Sequence, residues 1–264
     1  MNRIEAAFKN KPIFMPYFPL GYPSLETSVD VIEALAKNGA DLIEVGLSFS
    51  DPLADGPVIQ KATQMALEQG ITVKKSLKAV TELRSRGVTI PLVMMGYYNP
   101  IFAYGLDKFL EDAFSADVDG FIIPDLPPEE AGEFLNAATD RDSRSVGLPL
   151  IRMVAPTTSS ERMEMIVRGA QGFIYLVSVA GVTGARKDMP EGLAGLVAWV
   201  RHHTSLPVCV GFGIATPQQA KIVGAMADGV IIGSACVRSI GEGTSPVDAA
   251  KEFARSYREA LILV

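Results

Sequence analysis

The chain has 264 residues, of which 48% are hydrophobic and 20% are charged, and its formal net charge is −6. This balance predicts a globular chain with a large core, and it excludes intrinsic disorder. Basic residues are scattered and no run approaches the ~18 apolar residues of a membrane span, so we expect a cytoplasmic protein with no nucleic-acid or membrane partner.

The cysteine content is low and gives no sign of a metal or disulfide site. Cys209 and Cys236 are the only two cysteines, and their spacing matches neither a CxxC motif nor a set of metal ligands. We therefore expect no bound metal and two reduced thiols that pack in the core or against a wall of the fold.

Eight short apolar runs of strand length follow one another along the chain. Four of these runs belong to a recurring sequence pattern. In this pattern a small residue or glycine ends a helix before the apolar run, and a turn follows the run. These four are "NGADLIEVG" from 38, "ADVDGFIIPD" from 116, "GAQGFIYLVS" from 169 and "MADGVIIGS" from 226. The other four are "PIFMPYF" from 12, "PLVMMGYY" from 91, "VGLPLIRMV" from 146 and "LPVCVGFG" from 206.

Amphipathic segments separate these runs, such as "SLETSVDVIEALAKNG" and "SSERMEMIVRGA", each with a serine suited to the N-cap. Eight strands that alternate with helices predict a parallel sheet closed into a single (β/α)8 barrel domain over residues 1–264, with an extra N-terminal helix. An open doubly wound sheet is the alternative, but the even spacing and the lack of an early GxGxxG disfavour it.

An acidic residue stands inside the second apolar run, "LIEVG". Alternation along a barrel strand directs Ile43 and Val45 to the helix layer and Glu44 to the interior, near the carboxyl end where barrel active sites lie. A structural Glu paired with a buried Arg is the other interpretation, but no inward strand end offers such an Arg. We therefore expect Glu44 to be catalytic, since a carboxyl in a partly apolar pocket exchanges protons near neutral pH.

The loop "SDPLADG" follows that strand and leads into a helix. Asp55 in this loop is a candidate for a second catalytic carboxyl, yet Asp is also a common helix N-cap. Asp51 has the same two interpretations, and spacing does not decide between them.

Two turns near the carboxyl terminus place small residues just before helices. The segments "VGFGIATPQQA" and "IIGSACV" follow the seventh and eighth strands, where barrels often bind phosphate at helix N-termini. The candidates are Gly211, Gly213, Gly233 and Ser234. A third glycine-rich segment, "SVAGVTGARKDMP", has few apolar anchors, and we expect it to be a mobile lid.

Other polar and aromatic residues receive structural interpretations. Tyr175 points inward by alternation, either to fill the barrel or to line a pocket. Trp199, His202 and His203 fall in a helix far from the strand ends, so we assign no catalysis to them.

The segments "EVGLSFSDPLADGPVIQ", "PDLPPEE", "YLVSVAGVTGAR" and "GFGI" followed by "GSA" resemble the tryptophan synthase alpha chain family over essentially the whole length. The resemblance implies a (β/α)8 lyase that cleaves indole-3-glycerol phosphate to indole and glyceraldehyde 3-phosphate. It also implies a beta-chain partner in an α2β2 complex. Pyridoxal phosphate is expected in that beta chain, and no cofactor in this chain.

Residue roles follow from the same resemblance. Glu44 matches the acid–base glutamate of the family, and Asp55 matches the aspartate that engages the indole N–H. The remaining matches are pocket, lid and phosphate positions: Tyr17, Tyr97, Tyr175, Thr183, Gly184, Phe212, Gly213, Gly233 and Ser234.

Two positions depart from the family pattern, and three other functions stay open. Ser48 stands where proline is common, and Val179 stands where some members have arginine, so loop stiffness and lid closure are expected to differ. The alternatives are a stand-alone indole-3-glycerol phosphate lyase, a weakly catalytic regulatory subunit, and a phosphosugar isomerase of the same fold.

Overall fold

A computed structural model describes residues 2–140, 147–178, 192–211 and 213–262, which form eight strands and twelve helices. The strands are β1 (Ile13–Pro19), β2 (Ile43–Gly46), β3 (Leu92–Met95), β4 (Gly120–Ile122), β5 (Leu150–Val154), β6 (Ile174–Val177), β7 (Val208–Gly211) and β8 (Gly229–Ile232). The helices are α1 (Arg3–Ala7), α2 (Leu25–Lys37), α3 (Pro57–Glu68), α4 (Val73–Ser85), α5 (Tyr98–Tyr104), α6 (Leu106–Ser115), α7 (Gly132–Asp140), α8 (Ser160–Val167), α9 (Leu193–His203), α10 (Pro217–Gly224), α11 (Ser234–Gly241) and α12 (Pro246–Ile262).

The eight strands form one closed parallel barrel in chain order, from β1 to β8 and back to β1. Each predicted apolar run contains one of them, and α1 is the predicted extra N-terminal helix. The (β/α)8 prediction is confirmed, and the open doubly wound sheet is wrong because β8 pairs with β1, with Ile13 opposite Gly229.

Strand register places alternate side chains inside the barrel and against the helices. Tyr17 on β1 lies opposite Glu44 on β2, and Tyr175 on β6 lies opposite Cys209 on β7. Phe121 on β4 belongs to the other set, since its ring packs against aromatic rings of α6 and α7. Both cysteines are buried and free, as expected for core thiols.

The amino end of the barrel is held by carboxylates that immediately precede strands. Asp41, Asp119 and Asp228 accept hydrogen bonds from backbone N–H groups of β1, β3 and β7, at 2.8, 2.8 and 2.9 Å. Arg3 of α1 donates to Asp119 at 3.0 Å, and Arg84 of α4 also pairs with it. These bonds attach the N-terminal helix to the barrel floor.

Side-chain caps begin several of the surrounding helices. Ser24 and Ser159, both predicted caps, accept hydrogen bonds from backbone N–H groups at 3.1 and 3.2 Å at the start of α2 and α8. Such caps satisfy N–H groups that have no partner within the helix. No helix in the described ranges combines the length and the apolar character that crossing a bilayer requires.

Candidate active site

Glu44 is buried inside the barrel on β2, as alternation predicts, with 1% of its surface exposed. Its Oε1 atom has no hydrogen-bond partner in the described part of the chain. Burial alone raises the pKa of Glu44 to about 8. Arg152 of β5 is the one arginine on the eight described strands, and it alternates with Met153, which pairs with Tyr175 of the interior set. Arg152 therefore faces the helix layer and does not neutralise Glu44.

Asp55 lies in the loop after β2 and is held by a tyrosine. Tyr97 Oη donates to Asp55 Oδ2 at 3.1 Å and accepts from Ala54 N at 2.9 Å. Burial raises the pKa of Asp55 to about 6, against the opposing effect of the Tyr97 hydrogen bond. Asp55 is not the helix cap that was its alternative interpretation, because Gly56 is the N-cap of α3 and no side chain caps it.

Two buried tyrosines complete the inner wall. Burial raises the pKa values of Tyr17 and Tyr175 well above the ordinary value, and the charges of Asp55 and Glu44 add to the effect on both. Tyr17 lies opposite Glu44 across β1 and β2, and both carboxyl groups act on both tyrosines, so these four side chains face one space inside the barrel.

Two glycines at strand ends make room for those tyrosines. A Cβ atom at Gly46 would overlap the Tyr17 hydroxyl, and one at Gly211 would overlap the Tyr175 hydroxyl. Gly211 stays a candidate for the phosphate site, and its lack of a side chain also makes room for the Tyr175 ring. The amino-acid sequence alone does not distinguish a glycine that ends a strand from one whose missing side chain leaves space for a neighbouring aromatic ring.

A small-residue turn starts α11 after β8. Gly233 is the N-cap, with no side-chain hydrogen bond, and Ser234 is the first helical residue. Ser234 is buried, and its Oγ atom has no hydrogen-bond partner among the described residues. Gly233 lies near side-chain atoms of Tyr17 and Ile59, which places this turn beside the carboxyl pocket. Gly213, after β7, has a φ of 86°, a left-handed conformation that glycine adopts without strain.

Backbone N–H groups and an unpartnered hydroxyl at a helix N-terminus suit an anion. The predicted site residues Thr183, Gly184 and Phe212, the departure Val179 and the predicted lid beyond Ser178 lie outside the described residues. The other departure, Ser48, donates a long hydrogen bond of 3.5 Å to the Leu20 carbonyl.

The two histidines stay away from this pocket, as predicted. They end α9, where the ring nitrogen Nδ1 of His203 lies 2.9 Å from the Trp199 carbonyl. The interaction between Tyr97 and Asp55 is the feature that residue spacing misses, because the two are far apart in the chain and meet only when β2 and β3 pair.

A closed (β/α)8 barrel with two buried carboxyl groups and an anion-competent turn at the carboxyl ends of its strands is the architecture of a barrel enzyme. The family model described as tryptophan synthase alpha chain matches residues 4–261. The chain belongs to this family. It is a lyase subunit of tryptophan biosynthesis, in a family that works with a beta chain.

Similar proteins cover the whole molecule. The tryptophan synthase alpha chain of Dehalococcoides mccartyi is 42% identical over 261 residues, which are 99% of this chain and 100% of that one. The crystal structure of tryptophan synthase subunit alpha from Legionella pneumophila has a TM-score of 0.90 and 38% identity, with 100% of both chains covered. A structure of Mycobacterium tuberculosis tryptophan synthase has a TM-score of 0.88 and 36% identity, with 98% of both chains covered.

Proposed function

We propose that Glu44 and Asp55 are the catalytic carboxyl groups with which this chain cleaves indole-3-glycerol phosphate to indole and glyceraldehyde 3-phosphate. The observation that carries the proposal is the burial of two carboxyl groups at the carboxyl end of the barrel, which raises the pKa of Glu44 to about 8 and that of Asp55 to about 6. At neutral pH Glu44 is then mostly protonated and Asp55 mostly ionised. Two carboxyls whose environments separate their pKa values can take different roles in one reaction.

The retro-aldol reaction needs one group that passes a proton and one that holds charge. Protonated Glu44 gives its proton to indole C3, which places positive charge on the ring nitrogen. The Asp55 carboxylate, oriented by Tyr97, stabilises that cation through the indole N–H. The Glu44 carboxylate then takes the proton of the glycerol hydroxyl, the C–C bond breaks, and its electron pair returns to the ring as the aldehyde forms.

The phosphate group of the substrate fits the turn at the start of α11. The Ser234 hydroxyl and the N–H groups that begin the helix donate to an anion, and the helix dipole favours negative charge there. Gly213 and Gly233 allow a close approach of the backbone, and we assign Tyr17, Tyr97 and Tyr175 to the wall around the indole ring. Thr183, Gly184 and Phe212 complete the proposed site by resemblance alone.

The test is indole release from indole-3-glycerol phosphate by purified variants. Glu44→Gln keeps the shape of the side chain and removes its acid–base function, so we expect turnover to fall ~10² to 10⁴-fold. Asp55→Asn removes the negative charge that stabilises the cation, and a fall of ~10² to 10³-fold is expected. The matched control is Glu259→Gln, an exposed glutamate on α12. Near wild-type turnover in folded Glu44→Gln would refute the mechanism.

We propose that the beta chain binds at the carboxyl end of the barrel, in an α2β2 complex in which the beta chain carries pyridoxal phosphate and this chain carries no cofactor. Leu53, 81% exposed, and Phe102, 65% exposed, lie in the loop after β2 and on the helix after β3. Asp51 is also exposed in the same loop as Asp55. A partner that binds this loop in one arrangement would couple its own binding to the position of Asp55.

Titration of a beta chain into this chain tests the complex. We expect indole release to be slow for the chain alone and to rise with the beta chain, and Asp51→Ala to reduce the rise more than the basal rate. A fast basal rate that the beta chain leaves unchanged would favour a stand-alone indole-3-glycerol phosphate lyase. We place the protein in the cytoplasm, which suits two free, buried cysteines.

A further inference from the structure

A cavity of about 430 Å³ opens at the carboxyl end of the barrel, between the loops that follow β4 and β5. Ile123, Val154 and Ile166 contribute apolar wall, and Arg152 and Arg162 contribute the charged groups. No carboxylate lines this cavity within the described ranges. The cavity therefore combines apolar walls with positive charge.

Arg152 is the unusual member of this wall. It lies in the middle of β5 with 6% of its surface exposed, and its Nη1 atom has no hydrogen-bond partner in the part of the chain that the structure describes. A guanidinium stays protonated in proteins, so this side chain keeps its charge. A buried polar group without a partner costs more than one that is hydrogen-bonded, and a charged group costs most.

The acidic group that acts on Arg152 is already engaged by another arginine. Glu129, in the loop after β4, raises the pKa of Arg152 against the larger lowering by burial. Arg162 of α8 forms a salt bridge with that same carboxylate. Two guanidinium groups thus share one carboxylate, and the cavity keeps an excess positive charge on its buried side.

We propose that this cavity binds a small carboxylic acid with a compact apolar body. The carboxylate of the ligand accepts hydrogen bonds from the guanidinium of Arg152, whose planar fork matches carboxylate geometry. The apolar body lies against Ile123, Val154 and Ile166. The bound anion supplies the partner that Arg152 Nη1 lacks among the described residues.

The Arg152 side of this cavity is distinct from the Glu44 pocket because Arg152 faces the helix layer and Glu44 faces the barrel interior, although Met153 of the interior set also lines the cavity. The two are nevertheless close, since the cavity reaches Ala54, the residue before Asp55. Ala54 N also donates to Tyr97 Oη, which holds Asp55. A ligand in the cavity contacts the loop that positions Asp55, so the binding site adjoins the catalytic pocket without sharing its carboxyl groups.

Calorimetric titration of the wild-type chain with benzoate, and with its neutral analogue benzamide, tests the proposal independently of turnover. We expect benzoate to bind at least about tenfold more tightly than benzamide, because only benzoate forms a charge-assisted hydrogen bond. Arg152→Met should weaken benzoate at least about tenfold and leave benzamide unchanged. Arg168→Met, which removes an exposed arginine at the end of α8, is the matched control and should bind benzoate as the wild type does.

Glu129→Gln, which alters an exposed side chain, should change the benzoate affinity in the opposite direction. Without the competing carboxylate, benzoate should bind several-fold more tightly. The ligand-free Arg152→Met protein should also unfold at the same temperature as the wild type or higher, because an uncompensated buried charge is removed. Equal benzoate affinities in wild type and Arg152→Met, equal affinities for benzoate and benzamide, or no saturable benzoate binding by the wild type would overturn the proposal.

Discussion

The buried polar groups at the two ends of the barrel differ in whether they have hydrogen-bond partners. At the amino end, Asp41, Asp119 and Asp228 each bind a backbone N–H of a neighbouring strand and a basic side chain. Three buried side-chain atoms lack a partner across the described ranges, on Glu44, Arg152 and Ser234. All three residues border cavities or turns that open at the carboxyl end.

This difference separates the residues that stabilise the fold from the residues that serve function. Buried polar groups stabilise a fold when their hydrogen bonds are satisfied and destabilise it when they are not. The amino end consists of satisfied groups, and their loss should destabilise the fold. The carboxyl end retains unsatisfied groups that a substrate or ligand can satisfy, and their loss should cost function while leaving the fold intact.

The largest expected effect on stability is at the amino end. Asp119→Ala removes the buried partner of Arg84 and the acceptor of a β3 backbone N–H, and we expect a loss of ~3 to 5 kcal/mol in the free energy of unfolding. Urea denaturation measures it. Asp51→Ala, an exposed carboxylate at the other end, is the control and should change stability by less than ~0.5 kcal/mol. Similar losses in the two variants would remove the contrast between the ends.

A smaller effect is expected for Ser234→Ala at the carboxyl end. The hydroxyl has no partner in the described structure, so its removal should not lower the free energy of unfolding. A lost hydrogen bond to a phosphate should weaken substrate binding by roughly 1.5 to 3 kcal/mol, which raises KM about tenfold or more with little change in kcat. Steady-state kinetics distinguish the two parameters. A destabilised protein with unchanged KM would show that Ser234 is structural.

The smallest expected effect is for Tyr97→Phe. The Tyr97 hydrogen bond lowers the pKa of Asp55 against the larger rise from burial, so its loss should raise that pKa above about 6. Asp55 would then be protonated at a higher pH, and the acid limb of the pH–rate profile should move upward. A pH–rate profile identical to that of the wild type would mean that Tyr97 does not tune Asp55.

The fold was predictable because its signals are local. Each of the eight strands lies, to within a residue, inside one apolar run, and Ser24 and Ser159 cap helices where their sequence context predicts a cap. The inward direction of Glu44 also follows from alternation along four residues of β2. These features depend on neighbours within a few positions, which a single sequence displays directly.

The candidate site was only partly predictable because its interactions join distant segments. Asp55 remained ambiguous between a cap and a catalytic group until the Tyr97 hydroxyl was placed beside it. The sequence marks Gly211 as a phosphate candidate but does not reveal that its lack of a side chain also makes room for Tyr175. The buried position of Arg152 and its missing partner depend on how β5 packs against α8, and no sequence pattern signals them.

The central claim is that the carboxyl end retains a buried carboxyl at the expense of stability, and one pH series tests it most directly. Burial raises the pKa of Glu44 to about 8 in the folded protein, from its ordinary value of 4.5. The folded state therefore binds more protons than the unfolded state between these values, so the free energy of unfolding falls as the pH rises and ionisation of the buried carboxyl becomes costly.

Urea denaturation of wild type and Glu44→Gln at a series of pH values measures this loss, because Gln cannot titrate and all other groups cancel in the difference. Relative to Glu44→Gln, the wild type should lose about 3 kcal/mol in the free energy of unfolding between roughly pH 5 and pH 8. Glu259→Gln, compared in the same way, should show no such slope. Parallel pH dependence of the wild type and Glu44→Gln would contradict the account.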